Sequence, residues 1–143
     1  MDIKFTLDKG AYAPEKAHED DAGYDLRIPR GTGTWIFKDD GSLTIDTGVH
    51  VAIPKGYVGI VTSKSGLNVK RGIICPPGVI DSGYTGSIVV KLYNLGEKRY
   101  IQLTQDNKVA QLLIVPIADC NLVQVDRLEE TERGNSGFGS TGR

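Results

Sequence analysis

Five short stretches carry residue types that chemistry can use. Gly78 to Asn94 reads GVIDSGYTGSIVVKLYN. Asp81 stands there beside the Ser82-Gly83 turn with apolar strand pieces on both sides, where a carboxylate can serve as a fixed general base. The same residue can equally cap its own turn, and the local sequence leaves both roles open. Ser63 to Ile73 reads SKSGLNVKRGI. Lys64, Ser65, Gly66, Lys70 and Arg71 make a basic, hydroxyl-rich loop that suits phosphate oxygens, although a solvated basic loop has the same composition. Leu67 to Lys70 can form a short helical turn whose amino end faces an anion. Gln111 interrupts VAQLLIV, an otherwise apolar stretch from Val109 to Val115. A buried amide there needs a partner, from a subunit interface or from a ligand. Asp25 lies in AGYDL, Ala22 to Leu26, which taken alone reads as a turn aspartate. The final GNSGFGSTGR, Gly134 to Arg143, holds a single apolar side chain, Phe138. Such a tail frays unless a docking surface or a ligand receives the ring.

Strands must position these residues. Ile88, Val90 and Leu92 alternate with Ser87, Val89, Lys91 and Tyr93, the period of a strand with one buried face. Val79 and Ile80 form a shorter piece, and the two are expected to make a hairpin with Asp81 and Tyr84 near its bend. Further strands are expected over Ile3 to Leu7, Thr47 to Ile53, Tyr57 to Val61, Tyr100 to Leu103, Val109 to Val115 and Leu122 to Val125. Asp25 is placed at a strand start. Glu15 to Asp21 has the polarity for one helical turn. Ile28 to Thr47 reads as the loosest region, a hairpin decoration in which Trp35 is a local packing anchor. Roughly eight to eleven short strands with little helix predict an all-β barrel or jelly roll.

A chain of 143 residues fits one domain with a real core. Its 18 glycines exceed the usual share and suit tight turns between short strands. A net charge of -1 gives no general attraction to nucleic acid or membranes, so no direct nucleic-acid or membrane partner is expected. Cys75 and Cys120 are too few for a disulfide framework, and Cys75 after two isoleucines reads as a buried thiol. The absence of a signal-like start or a long apolar run predicts a soluble, intracellular setting. His18 and His50, with no helix to bring them together, read as ordinary histidines and not as a zinc pair.

Five segments in order resemble the motifs of the trimeric deoxyuridine triphosphatases: Ala22 to Leu26, Lys64 to Ile73, Gly78 to Tyr84 with its strand, Lys108 to Leu112, and Arg133 to Gly142. Departures fall at Lys64 and Lys108, where arginine is usual, and at Asn68, Ser87 and Ser136. Lysine keeps the charge but loses the bidentate fork. The resemblance implies a distorted jelly-roll domain over 1–133 and a glycine-rich arm over 134–143. It also implies a homotrimer with active sites shared between subunits, each closed by the arm of a neighbouring subunit. The implied reaction is hydrolysis of dUTP to dUMP and pyrophosphate by attack of water on the α-phosphorus, limiting uracil in DNA and supplying dUMP. Asp81 would activate the water, and Gln111 would point at the triphosphate near the attacked phosphorus. Lys64, Ser65, Gly66 and Arg133 would hold phosphates. Gly78, Ile80 and Tyr84 would select base and sugar, and Phe138 with Gly139 and Ser140 would close over uracil. Asp25 would help to hold Mg2+ through water, the ion sitting mainly on the triphosphate. Alternatives are a dCTP deaminase on the same scaffold, a nucleotide-responsive regulatory module without turnover, and a purely structural β-trimer. The Trp35 region is the candidate surface for a protein partner.

Overall fold

The structure, a computed structural model, describes residues 1–37, 41–96 and 101–134. Strand formation follows the alternation in the sequence most plainly at β9 (Val89–Asn94), where Val90 and Leu92 are buried while Val89 and Lys91 face out. β9 is the middle strand of a three-stranded antiparallel sheet, between β4 (Ser42–Asp46) and β7 (Ile73–Ile74). The second large sheet has four strands in the order β2 (Gly23–Arg27), β11 (Lys108–Pro116), β6 (Tyr57–Ser63) and β8 (Gly78–Ile80), all antiparallel. Two further pairs complete the described strands: β1 (Phe5–Leu7) with β5 (Val49–Val51), and β3 (Thr34–Ile36) with β10 (Gln102–Thr104). The only described helix is α1 (Ser65–Arg71). Inward faces from every sheet meet in one core that includes Leu26, Ile45, Val49, Val61, Ile88, Leu92 and Leu112. Cys75 is buried, as expected. No helix among the described residues is long and apolar enough to cross a membrane.

The chain segments expected to be strands mostly are, but their partners differ from the simplest pairing. Residues 78–94 do not form a hairpin: β8 pairs with β6, and β9 pairs with β4 and β7. The connection between them therefore crosses from one sheet to the other. Ile88 is pinned at the far side by Thr47, whose N–H and hydroxyl both donate to its carbonyl at 3.1 and 2.7 Å, and its own N–H donates to Val49. Burial decides this: Ile88, Val90 and Leu92 must face the core beside Leu43 and Ile45, and a ladder with β8 would not place them there.

The segment from Ile28 to Thr47 is no decoration. Ile28, Phe37, Leu43 and Ile45 belong to the core, and β3 and β4 pair with distant strands and not with each other. Asp25 sits in the middle of β2 and not at a strand start. Glu15 to Asp21 forms bends and a turn in place of a helical turn, with Glu15 bridging to Asp25. Leu122 to Val125 has strand composition but no strand, because no neighbouring edge in the same chain offers it a ladder; Leu122 is 99% exposed.

Truncating Leu92 to alanine removes a fully buried side chain opposite Leu43 and should cost about 2–5 kcal/mol in urea unfolding. Val89→Ala, on the outward face of the same strand, should cost under about 1 kcal/mol. Equal costs would contradict the face assignment.

Candidate active site

Two adjacent ladders build a charged cluster. Asp25 on β2 lies directly across from Gln111 on β11, which in turn lies across from Thr62 on β6. The Asp25 side chain is only 3% exposed. Its Oδ1 is paired with Lys64, and its Oδ2 lies 2.6 Å from the Lys108 ammonium. Lys108 opens β11, where a register shift before Ala110 marks a bulge. Burial pushes the Asp25 carboxyl up, but hydrogen bonds and charge from Lys108 and Lys64 outweigh it and hold the group below its ordinary value.

The Gln111 amide donates from Nε2 to the Ser63 carbonyl at 2.9 Å. Ser63 is itself tied to Cys75, accepting from its N–H at 2.8 Å and donating to its carbonyl at 3.0 Å. Gly23 makes room for the amide, since a Cβ at that position would lie 2.5 Å from Gln111 Oε1. The glycine of AGYDL is thus required by a residue on another strand, a relation that no local pattern contains.

Lys64 follows Ser63 and is the N-cap of α1, with no side-chain capping bond. Ser65 and Gly66 form the first turn, whose N–H groups have no acceptors within the helix. Lys70 and Arg71 lie in the last turn, so the expected single basic loop is divided. Lys64 stays with Asp25, while Lys70 and Arg71 sit at the carboxyl end, where positive charge complements the exposed carbonyls. Gly72 ends the helix in a left-handed conformation, φ 67°.

The Asp81 turn belongs to the other end of the sheet. Its main chain closes it: the Tyr84 N–H donates to the Asp81 carbonyl at 3.2 Å, and Gly83 takes φ 87°. The Asp81 side chain is exposed, and a main-chain closure in place of a side-chain cap leaves the carboxylate facing outward. Tyr84 is 46% exposed and lies over Gly86, where a Cβ would collide with its hydroxyl. That hydroxyl donates to the Ser87 carbonyl at 3.1 Å. The base of the turn has two more anchors. Ser87 Oγ donates to Asp46, and His50 Nδ1 lies 2.8 Å from the Thr85 carbonyl. The Ser87 hydroxyl and the Gly48 N–H hold the Asp46 carboxyl below its ordinary value. β8 is the outer strand of its sheet, so main-chain groups of Gly78 and Ile80 on that side face no described ladder.

The structure brings Asp25, Lys64, Lys108 and Gln111 together, with Ser65 and Gly66 beside them, and keeps Asp81 and Tyr84 apart. Gln111 is level with Thr62 and Ile80 with Gly59, on opposite sides of β6. Standard strand rise and spacing put the Gln111 and Ile80 backbones about 14 Å apart. Arg133 lies on the exposed segment before the tail, and Phe138, Gly139 and Ser140 fall outside the described residues. Lys108, Ser63, His50 and Asp46 were not among the expected site residues. Only for Lys108 was there a local signal, its charge one residue before an apolar strand. Trp35 packs against the core and donates from its indole to Thr32 at 3.1 Å, as a packing anchor does.

Among the described residues no three His, Cys, Asp or Glu side chains cluster as a metal cage. Asp25, the expected ion-holding residue, has both carboxylate oxygens engaged by lysines, Oδ1 by Lys64 and Oδ2 by Lys108.

The dUTPase family model matches residues 9–142. The deoxyuridine 5'-triphosphate nucleotidohydrolase of Tropheryma whipplei (strain Twist) is 38% identical over 139 residues, covering 96% of this chain and 93% of the relative. That of Corynebacterium efficiens is 40% identical, covering 96% of this chain and 75% of the relative. Among solved structures, the dUTPase of Staphylococcus bacteriophage 80alpha with dUPNHPP matches with a TM-score of 0.85 at 32% identity, over 99% of both chains. A mutant dUTPase from phage phi11 of S. aureus, described with a structural Mg(II) ion, matches with a TM-score of 0.80 at 29% identity. It covers 91% of this chain and all of that one. The shared architecture is the distorted jelly roll.

Asp25→Asn should leave two ammonium groups without their counter-charge. Unfolding free energy should fall by about 1–3 kcal/mol near neutral pH, discounted for the partial exposure of both lysines. The folded pKa of Asp25 lies below its unfolded value, so its contribution is complete above that value and is lost as pH falls through the folded one. Urea titrations should therefore show an acid-side loss of stability below about pH 4 that is smaller in the variant.

Proposed function

The chain belongs to the dUTPase family and hydrolyses dUTP to dUMP and pyrophosphate, and we propose that Asp81 is the base of that reaction, working across a subunit boundary. The Asp81 carboxylate takes a proton from a water molecule within hydrogen-bond reach. The water oxygen bonds to the α-phosphorus as the bond to the β-bridging oxygen breaks, and the electron pair leaves with pyrophosphate. Gln111 orients the α-phosphate from the opposite side. Lys64, Ser65, Gly66 and Arg133 bind and neutralise the phosphates, with Lys108 sharing its charge between Asp25 and the ligand. Mg2+ would supply further charge neutralisation to the triphosphate, and Asp25 would hold its water shell on exchanging a lysine partner for it.

Base choice falls to main-chain groups. On the outer edge of β8, Gly78 and Ile80 can present a pairing edge that accepts from uracil N3 and donates to the ring carbonyls. Cytosine reverses part of that pattern. Tyr84 lies against the deoxyribose, where a 2′-hydroxyl would clash. Phe138, with Gly139 and Ser140, closes over the base from the arm, excluding bulk water.

The observation that carries the shared-site reading is the separation within one chain. Asp81 and Gln111 must flank one phosphorus, yet the register sets their strands about 14 Å apart. A homotrimer in which one copy's Asp81 turn meets another copy's Asp25–Gln111 cluster restores that proximity. The exposed apolar side chains of Leu122, Val123 and Leu128 support such an assembly.

Pyrophosphate release should be confined to dUTP among dUTP, dCTP, dTTP and UTP, stimulated by magnesium, suppressed by chelator, and lowered about 10²–10⁴-fold in Asp81→Asn. Full turnover by that variant would sink the assignment of the base. Asp81→Asn and Gln111→Ala homo-oligomers should each be nearly inactive. Refolded together, they should regain part of the wild-type rate, because some mixed sites take both intact residues; no recovery in verified mixed trimers would place the two residues in one copy's site.

A further inference from the structure

His50 lies on β5 with its side chain opposite to those of Val49 and Val51, which enter the core. Its two ring nitrogens both face acceptors. Nδ1 lies 2.8 Å from the Thr85 carbonyl, which can only accept, so Nδ1 carries a proton. Nε2 lies 3.2 Å from Asp8 Oδ2, a charge pairing without hydrogen-bond geometry, and is shielded from water. A neutral ring satisfies one neighbour at the expense of the other. With the proton on Nδ1, a lone pair faces the Asp8 carboxylate; with the proton on Nε2, the bond to Thr85 is lost. Only the imidazolium serves both.

The residue that His50 holds is one step from Tyr84 and four from Asp81. Three contacts tie down this end of the turn: His50 to Thr85, the Ser87 hydroxyl to Asp46, and the Tyr84 hydroxyl to the Ser87 carbonyl. Of these groups, only histidine ordinarily changes charge near neutral pH. The charged groups around the ring are Asp8 after β1, Asp46 at the end of β4, and Lys4 before β1, which lines the same shallow cavity.

We propose that His50 is a positioning residue of the substrate turn: its doubly protonated ring clamps Thr85 to β5 and Asp8, keeps Asp81 and Tyr84 in place for dUTP, and loosens that hold on losing a proton. The inference rests on the assignment of the 78–84 turn to the substrate site. The bond to Thr85, followed by the pairing with Asp8, holds the ring above its ordinary value of 6.5. The two-sided clamp is therefore complete below that value and is reduced to one contact as pH rises through the raised one.

The test measures kcat and KM for dUTP with magnesium between about pH 6 and 9 in the full-length oligomer. His50→Val removes the donor and keeps a strand-forming side chain. Its KM should rise about threefold to tenfold at the acid end, and the gap in kcat/KM to wild type should narrow at the alkaline end, where the neutral ring keeps at most the bond to Thr85. His50→Asn places an uncharged N–H near the position of Nδ1, so it should recover most of the loss and flatten the profile. Asp8→Asn should move the alkaline fall in kcat/KM to lower pH. The chain has two histidines, so imidazole NMR titration, with His50→Asn for assignment, should show one ring titrating above 6.5 and shifting acidward in Asp8→Asn. A His50→Val profile that superimposes on wild type, or a His50 ring that titrates at or below its ordinary value, overturns the clamp. If Asp81→Asn is inactive in the same assay, that failure leaves the site reading standing. Turnover that survives in Asp81→Asn overturns both.

Discussion

Asp25 keeps a negative charge at 3% exposure, and much of the surrounding structure follows from that. A carboxylate removed from water is costly unless paired, and here two lysines meet it, one on a strand and one at a helix N-cap. Lys108 reaches it from the start of β11 beside a bulge, and Lys64 from the end of β6, where the chain enters α1. One carboxylate and two ammonium groups sum to -1 + 2 = +1, so the paired cluster still favours an anion. The same strand carries Arg27, bound by Glu15 and Asp106, which spreads a second set of opposite charges beside the first. Gly23 and Gln111 then fit around the pair: the glycine leaves space, and the amide is held away from the carboxylate by Ser63.

Much of this was legible as periodicity and little of it as pairing. The alternation at Ile88, Val90 and Leu92 identifies a buried face because side-chain direction is a local property of a strand. Which strand lies next door is not local. β8 and β9 are close enough in sequence to suggest a hairpin, yet the core draws them into separate sheets. The same reason hid the depth of Asp25, whose five-residue context looks like a turn until β11 covers it. Lys70 and Arg71 were grouped with Lys64 by sequence distance alone; a helix of seven residues is enough to carry them about 10 Å away. The Ile28 to Thr47 region reads as loose because its glycines and polar residues dominate the composition, while buried apolar side chains, Ile28, Phe37, Leu43 and Ile45 among them, fix its path.

The Asp81 turn shows where a single chain stops explaining its own site. The described motif residues before Arg133 fall into two groups. One is the cationic cluster at the β6–α1 junction; the other is the exposed turn beyond β8. Within one chain the shared strand β6 acts as a spacer that keeps them apart. Leu122 to Val125 presents the same incompleteness in another form, as strand-forming residues without an edge to join. Both are understandable if the sequence encodes surfaces that find their complements in further copies of the chain.

If the outer edge of β8 reads the base, as proposed, that mode of recognition also limits how the site can be adjusted. Main-chain N–H and C=O groups have the same donor and acceptor character whichever side chains they carry, so the pattern offered to a base survives any substitution except by proline, which removes the N–H. What substitution can change is how firmly the strand and its turn are held. The anchors of this turn, Asp46, His50 and Ser87, lie outside the groups that would touch a nucleotide, on β4, on β5 and at the far end of the connection. Rigidity supplied from there lets binding energy go to the fit of base and sugar in place of ordering the turn. It also leaves room for one chain to differ from its relatives in pH response while the recognition pattern itself stays the same.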